Sequence, residues 1–272
     1  MSYIQITFQT ENEEVQGIII AILSEHGYEG FEEQETELKA YVPVEHFNEE
    51  LLHEFITPYG IIYTKENIEE QNWNAKWEEN FQPVIIDDFC SITAHFHKID
   101  VNTTHHIQIT PKMSFGTGHH ATTRLMIKAM RNIDFNNKTV FDFGTGTGVL
   151  AILADRLGAS NILAIDNDEW AYLNAKDNIE VNNAVNVVVK QAVLDDIPNL
   201  SFDVILANIN RHILLQYMAG LKKMLAKNGK LLMSGLLTGD EGIIVDVANN
   251  SGLQLLHRAE DNNWIVLELG HA

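Results

Sequence analysis

Gly144, Gly146 and Gly148 stand at alternate positions in "VFDFGTGTGVLAI" (Val140 to Ile152), between an apolar run and a helix-like segment. Where a buried strand turns into its helix, such glycines let backbone approach a ligand closely, and the helix N-terminus offers unbonded N–H groups. A dinucleotide loop requires G-x-G-x-x-G, but the residue three after Gly146 is Val149. The G-x-G-x-G spacing therefore suits a ligand without a pyrophosphate. Asp166 closes the next apolar run, twenty-two residues after Gly144, where a carboxylate can accept both hydroxyls of a ribose. Adenosine without a diphosphate points to S-adenosylmethionine. The competing reading of "DNDEWAYLNAKD" as a calcium loop fails on the missing Gly at position six and Glu at position twelve.

Asn208, in "LANINRHIL", leaves the end of a further apolar run on the same side of the expected sheet. Methyltransferases acting on planar amide or base nitrogens resemble one another in an Asn/Asp-Pro-Pro-aromatic motif at this place. Here both prolines and the aromatic are missing, which favours a flexible sp³ amine as acceptor, with Asn208 the candidate to position it. A turn residue capping the next helix is the alternative reading of Asn208.

The tetrapeptide FGTG also occurs in "MSFGTGHHATT" (Met113 to Thr123). No longer self-similarity surrounds the two copies, so they are different loops that share a need for close backbone approach, not a repeat. Six of the twelve histidines, His95, His97, His105, His106, His119 and His120, lie near or in the first copy. A zinc site needs about four convergent ligands, and no Cys or carboxylate spacing supports one. No metal is expected, and His119 and His120 are read as shaping the loop.

These groups must be positioned by two kinds of element. Residues 1–65 read as βαββαβ, a small ferredoxin-like α+β unit; "EEQNWNAKWEENFQP" (Glu69 to Pro83), with Trp73 and Trp77 one helical turn apart, falls in a 66–83 linker. Residues 84–272 alternate strand and helix and end in a hairpin about Glu260-Asp261-Asn262-Asn263, which predicts a mostly parallel sheet with a C-terminal antiparallel hairpin. The net charge of −20 repels phosphate backbones and argues against direct nucleic-acid binding. It is concentrated: residues 1–65 hold thirteen Glu against Lys39 and Lys65, which suits a basic protein partner. Cys90 is the single cysteine, and the chain has neither a basic-then-apolar leader nor a membrane-length apolar run. A soluble, cytoplasmic, monomeric protein without membrane contact is expected.

Taken together, "NWNAKWEENFQP", "FGTGHHATT", "DFGTGTGVLAI", "AIDND" and the "ANI" strand end resemble the ribosomal protein methyltransferase family PrmA over nearly the whole chain. "FGTGHHATT" is the most specific of these blocks. The resemblance implies a Rossmann-like class I methyltransferase domain that uses S-adenosylmethionine. It implies a basic ribosomal protein as partner, the eleventh of the large subunit, methylated on lysine side chains and the α-amine. It also implies that the first loop covers the methionine part of the cofactor, with Phe115 over the sulfonium side and Thr123 hydrogen-bonding the ligand, while Gly144, Gly146, Asp166 and Asn208 surround the rest. Two places depart from the pattern. The acidic residue often found near the adenine amino group has no clear counterpart, Ala192 and Val193 falling near it and Asp195 slightly later. Ile209, Asn210 and Arg211 also differ from the usual residues after the Asn.

Overall fold

The computed structural model describes residues 3–57, 60–68, 81–98, 102–112, 114–198 and 200–272, which form two compact units divided between Phe81 and Gln82. Trp73 and Trp77 lie outside the described residues.

In the first unit, β1 (Tyr3–Gln9) alternates so that Ile4, Ile6 and Phe8 are buried. Asn12 caps α1 (Glu13–Ser24) by accepting from the Glu14 and Val15 amides, and Asn48 caps α2 (Glu49–Ile56) by accepting from Leu51 N. With β2 (Gly30–Glu33), β3 (Glu37–Pro43) and β4 (Tyr63–Ile68), the strands order β2-β3-β1-β4, every neighbouring pair antiparallel. Ile19 and Leu23 of α1 and Leu52 and Ile56 of α2 share one core with Ile6, Leu38 and Val42. This is the ferredoxin-like arrangement expected from the sequence.

The second unit opens with a three-stranded sheet of β5 (Val84–Ile86), β6 (Cys90–Ala94) and β7 (His105–Ile109). "VIIDDFCSITAHF", which reads as one strand, is broken into a β5–β6 hairpin where Asp87 takes φ 50°. Then follow α3 (Ala121–Met130), β8 (Thr139–Phe143), α4 (Val149–Arg156), β9 (Asn161–Asp166), α5 (Glu169–Val181) and β10 (Val187–Gln191). The remainder is β11 (Phe202–Asn208), α6 (Arg211–Met224), β12 (Leu225–Leu237), α7 (Glu241–Asn250), β13 (Leu253–Asp261) and β14 (Trp264–His271).

The large sheet orders β10-β9-β8-β11-β12-β14-β13. Strands β8 to β12 pair in parallel, whereas β14 lies antiparallel between β12 and β13. Parallel strands covered on both faces must be apolar throughout, and β8, β9 and β11 are nearly fully buried. The chain leaves β8 toward β9 and β10 and returns to β11 on its other side. The order thus reverses at β8/β11, and a crevice opens beyond their carboxyl ends. Gly144 follows β8 there, Asp166 ends β9 and Asn208 ends β11.

Asn178 of α5 and Asn182, which caps its C-terminus, tie β7 to this framework. Asn182 accepts from Gln108 N (3.0 Å) and donates to Gln108 O (2.6 Å). Asn178 accepts from Thr110 N (2.8 Å) and donates to Thr147 O in the glycine-rich turn (2.8 Å). A helix side chain thereby supplies the hydrogen bonds a neighbouring strand would give. Asn182→Leu keeps the branched heavy-atom shape and strips both partners from Gln108, and it is expected to lower stability by about 1–3 kcal/mol for each backbone group left unpaired, read from urea unfolding.

Candidate active site

The two glycine loops meet. Gly144, Gly146 and Gly148 take φ of 74°, 57° and 80° in the turn from β8 into α4. A Cβ on Gly146 would stand 2.3 Å from the Phe115 carbonyl oxygen, so no other residue fits. Beside that contact Thr147 N donates to Phe115 O (2.9 Å) and Thr147 Oγ1 donates to Gly116 O (2.8 Å). The close approach expected between glycine and ligand is here an approach of one loop to the other. The same holds at Ile209, whose backbone lies where a Cβ on Gly235 would be, 2.2 Å from its carbonyl oxygen. The residue after Asn208 is thus fixed by β12, in which the register shifts between Met233 and Leu236.

Around these loops lies a cavity of about 1230 Å³, lined by Phe115, Gly144, Gly146, Asp166, Asn208 and Trp264 among others. Small-molecule sites are usually about 300–1,000 Å³, so there is room for a cofactor and the end of an acceptor. Asp166 Oδ2 accepts from Gly146 N (2.9 Å) and its Oδ1 from Asp168 N (3.1 Å). Each oxygen is thus oriented by backbone and keeps a lone pair for another donor. Phe115 is 52% exposed although it borders this cavity, so its ring face is available to a ligand.

Asn208 is 9% exposed; its Nδ2 donates to Thr123 Oγ1 (3.4 Å), and among the described residues its Oδ1 has no partner. Thr123 is fully buried and bonds Asn208, whereas its neighbour Thr122 borders the cavity. It therefore reaches the site through Asn208. His120 caps α3 through Thr122 N (3.3 Å), and its ring lies 5.4 Å from Phe115 and 4.6 Å from Trp264. His119 Nε2 meets Gln82 O (2.9 Å) and its Nδ1 meets Thr117 Oγ1 (3.1 Å). The other histidines of that stretch have separate neighbours: His106 bonds Thr93 (2.7 Å), His97 accepts from Ala94 N (3.0 Å) and His105 packs on Phe89. Among the described residues no group of three or more His, Cys, Asp or Glu side chains could hold a metal ion.

Three participants escaped the sequence reading. Trp264 comes from the last strand, and only its place beside the Asn262-Asn263 turn could have flagged it. Trp170 stands on the cavity rim at the start of α5, 75% exposed. Asp142, inside β8, is fully buried, and Thr145 Oγ1 donates to its Oδ2 (2.6 Å). Burial, and then the charge of Asp166, push the Asp142 carboxyl up to about 7, against the lowering hydrogen bonds from the Thr145 side chain and the Ala151 backbone.

The family model described as Ribosomal protein L11 methyltransferase (PrmA) matches residues 2–271. The chain belongs to this family. The Ribosomal protein L11 methyltransferase of Phocaeicola vulgatus is 39% identical over 98% of this chain and 99% of its own. That of Chlorobaculum parvum is also 39% identical, over 88% of this chain and 86% of its own. The crystal structure of ribosomal protein L11 methylase from Lactobacillus delbrueckii subsp. bulgaricus is 25% identical, with TM-score 0.66 over 70% of this chain and 99% of that one.

A PrmA-family methyltransferase uses S-adenosylmethionine, and the donor set fits that cofactor. Among the described residues Lys112 is the one lysine or arginine lining the cavity, and it is already paired with Asp177 (2.7 Å), whereas Asp166 and Asp168 both line it. Such walls disfavour a diphosphate and favour a ligand bearing ammonium and sulfonium charge. Asp166 would hold the ribose hydroxyls. Ala192, Val193 and Leu194 line the cavity and would give adenine an apolar edge, and Asp195 is exposed and not among the lining residues.

Asp142 gives the enzyme a pH dependence with a definite sign. An unfolded Asp titrates near about 3.9, so between about pH 4 and about pH 7 the folded state holds a proton that the unfolded state has released. Stability should therefore fall as pH rises through that window. Asp142→Asn keeps an acceptor for Thr145 and should flatten the slope, read from urea midpoints at pH 5 and pH 8.

Proposed function

We propose that this enzyme transfers methyl groups from S-adenosylmethionine to the lysine side chains and α-amine of the eleventh large-subunit ribosomal protein. The observation that carries the acceptor class is Asn208: nine-tenths buried, at the end of β11, with an oxygen that no group among the described residues satisfies. Leaving a buried acceptor unpaired costs about 1–3 kcal/mol, a cost recovered when an amine N–H is presented to it. The family name supplies the protein acceptor.

Bound S-adenosylmethionine supplies a methyl group on a sulfonium; the amine forms the N–C bond as the S–C bond breaks, and S-adenosylhomocysteine leaves. The chain's own task is to present the amine neutral, aligned and dry. A lysine with its ordinary pKa near about 10.4 is charged at neutral pH, and removal from water favours its neutral form. Its protons pass to solvent, so no strong base is demanded. Asn208 Oδ1 accepts an amine N–H and turns the nitrogen lone pair toward the methyl carbon. Phe115, exposed over the cavity, closes that end to water. Alignment of this kind supplies most of the acceleration.

The first unit supplies capture. Lys39 pairs with Glu37 (3.3 Å) and Lys65 with Glu49 (2.9 Å), while Glu25, Glu29, Glu32, Glu33 and Glu35 are all exposed along one stretch from the end of α1 through β2. Such a surface attracts a lysine-rich protein and raises its encounter rate.

Intact-mass analysis of ribosomal proteins from cells lacking the enzyme, incubated with it and labelled S-adenosylmethionine, should show one basic protein gaining label in methyl-sized steps. A bound cofactor with no labelled protein would remove the acceptor assignment and leave the fold and cofactor. In the same assay Asn208→Ala is expected to lose on the order of 10- to 100-fold in kcat, with a smaller change in S-adenosylhomocysteine affinity. Replacing Glu25, Glu29, Glu32, Glu33 and Glu35 together by Gln should raise KM for the protein acceptor and weaken its salt dependence, leaving cofactor affinity at the parental value.

A further inference from the structure

Arg124 follows Thr123 in α3, and its guanidinium bridges two parts of the chain that are far apart in sequence. Nη1 donates to the His119 carbonyl oxygen, and Nη2 donates to Asp261 Oδ2 at 3.0 Å. The first partner belongs to the segment that ends the first glycine loop. The second belongs to the tip of the β13–β14 hairpin, where Asp261 pairs with Trp264 across a two-residue turn. Asn262 and Asn263 hold φ of 49° and 67° in that turn, the left-handed pair that a tight hairpin requires and that asparagine tolerates. Thr238 N donates to Asn263 O (2.9 Å) and holds the turn from its other side.

What Arg124 joins is a row of rings. Phe115 and His120 come from the loop and Trp264 from the hairpin, with centroids 5.4 Å and 4.6 Å apart in succession. All three line the cavity that Asn208 also borders. An aromatic row suits the acceptor's end of such a site: ring faces cover an alkyl stem and attract an alkylammonium group. The row has no covalent continuity. Its register depends on what holds the loop to the hairpin, and a forked guanidinium can hold both at once where a lysine ammonium cannot. A half-exposed ion pair adds little to global stability, so the consequence lies in where the rings stand.

We propose that Arg124 is a positioning residue, tying the first glycine loop to the β13–β14 hairpin so that Phe115, His120 and Trp264 form the wall that receives the acceptor's side chain. This rests on the amine acceptor proposed above and adds to it the part of the site that sets acceptor fit.

The test compares the full chain with Arg124→Ala, Arg124→Lys, Asp261→Ala and the double Arg124→Ala/Asp261→Ala variant. Each is titrated with S-adenosylhomocysteine by calorimetry and assayed for methyl transfer at saturating cofactor. Arg124→Ala should lose on the order of tenfold or more in kcat/KM for the acceptor, with cofactor Kd within about twofold of the parent. Arg124→Lys should fall between the two. Adding Asp261→Ala to Arg124→Ala should cost nothing further, since the link is already gone. Parental turnover in Arg124→Ala, a parallel loss of cofactor affinity, or losses that multiply in the double variant would each overturn the proposal. Hydrogen exchange of the S-adenosylhomocysteine complex needs no acceptor: peptides covering 115–120 and 261–264 should both exchange faster in Arg124→Ala at an unchanged unfolding midpoint. Unchanged protection in both peptides sinks the link, whereas a parent enzyme that labels no protein sinks only the acceptor reading.

Discussion

The contact on which the site depends is the one between the two glycine loops. Thr147 gives its amide to Phe115 O and its hydroxyl to Gly116 O, and Gly146 leaves room for that carbonyl. Everything near the cavity is arranged from this junction. The loop after β8 is fixed by Asp166 on one side and by the first loop on the other. Phe115 is thereby held with its ring over the cavity. Because Asn178 of α5 binds Thr147 O and Thr110 N together, the same junction is joined to the small sheet that precedes it.

Charge is distributed differently in the two units. The first concentrates exposed glutamate with few cations, which suits capture of a basic chain. The second places carboxylates where a cationic cofactor would lie, and buries one, Asp142, deeply enough that it holds its proton well above the usual carboxylate range. A polar oxygen without a partner is rare in a protein interior. Asn208 Oδ1 is one, with no partner among the described residues, and it stands at the end of β11 beside the crevice.

Strand insertion explains how distant sequence reaches the site. The order β12-β14-β13 puts the last strand inside the sheet and makes β13 the edge. The β13–β14 turn then lies beside the first glycine loop, and Trp264 meets His120. A hairpin added in sequence order would have placed β13 next to β12 instead.

Local chemistry made much of this legible in advance. The βαββαβ order of residues 1–65, continuous apolar runs in β8, β9 and β11, and the G-x-G-x-G turn each carry their meaning within a few residues. So did the family blocks, above all "FGTGHHATT". What the sequence could not determine was which glycine meets which neighbour. Gly146 and Gly235 were legible as glycines, but the Phe115 and Ile209 backbones that require them arrive from elsewhere in the chain. The burial of Thr123 behind Asn208, the rise in the Asp142 pKa and the role of Arg124 have the same character. Each depends on through-space packing and on exclusion of water, quantities that a one-dimensional pattern does not contain and that only the tertiary structure decides.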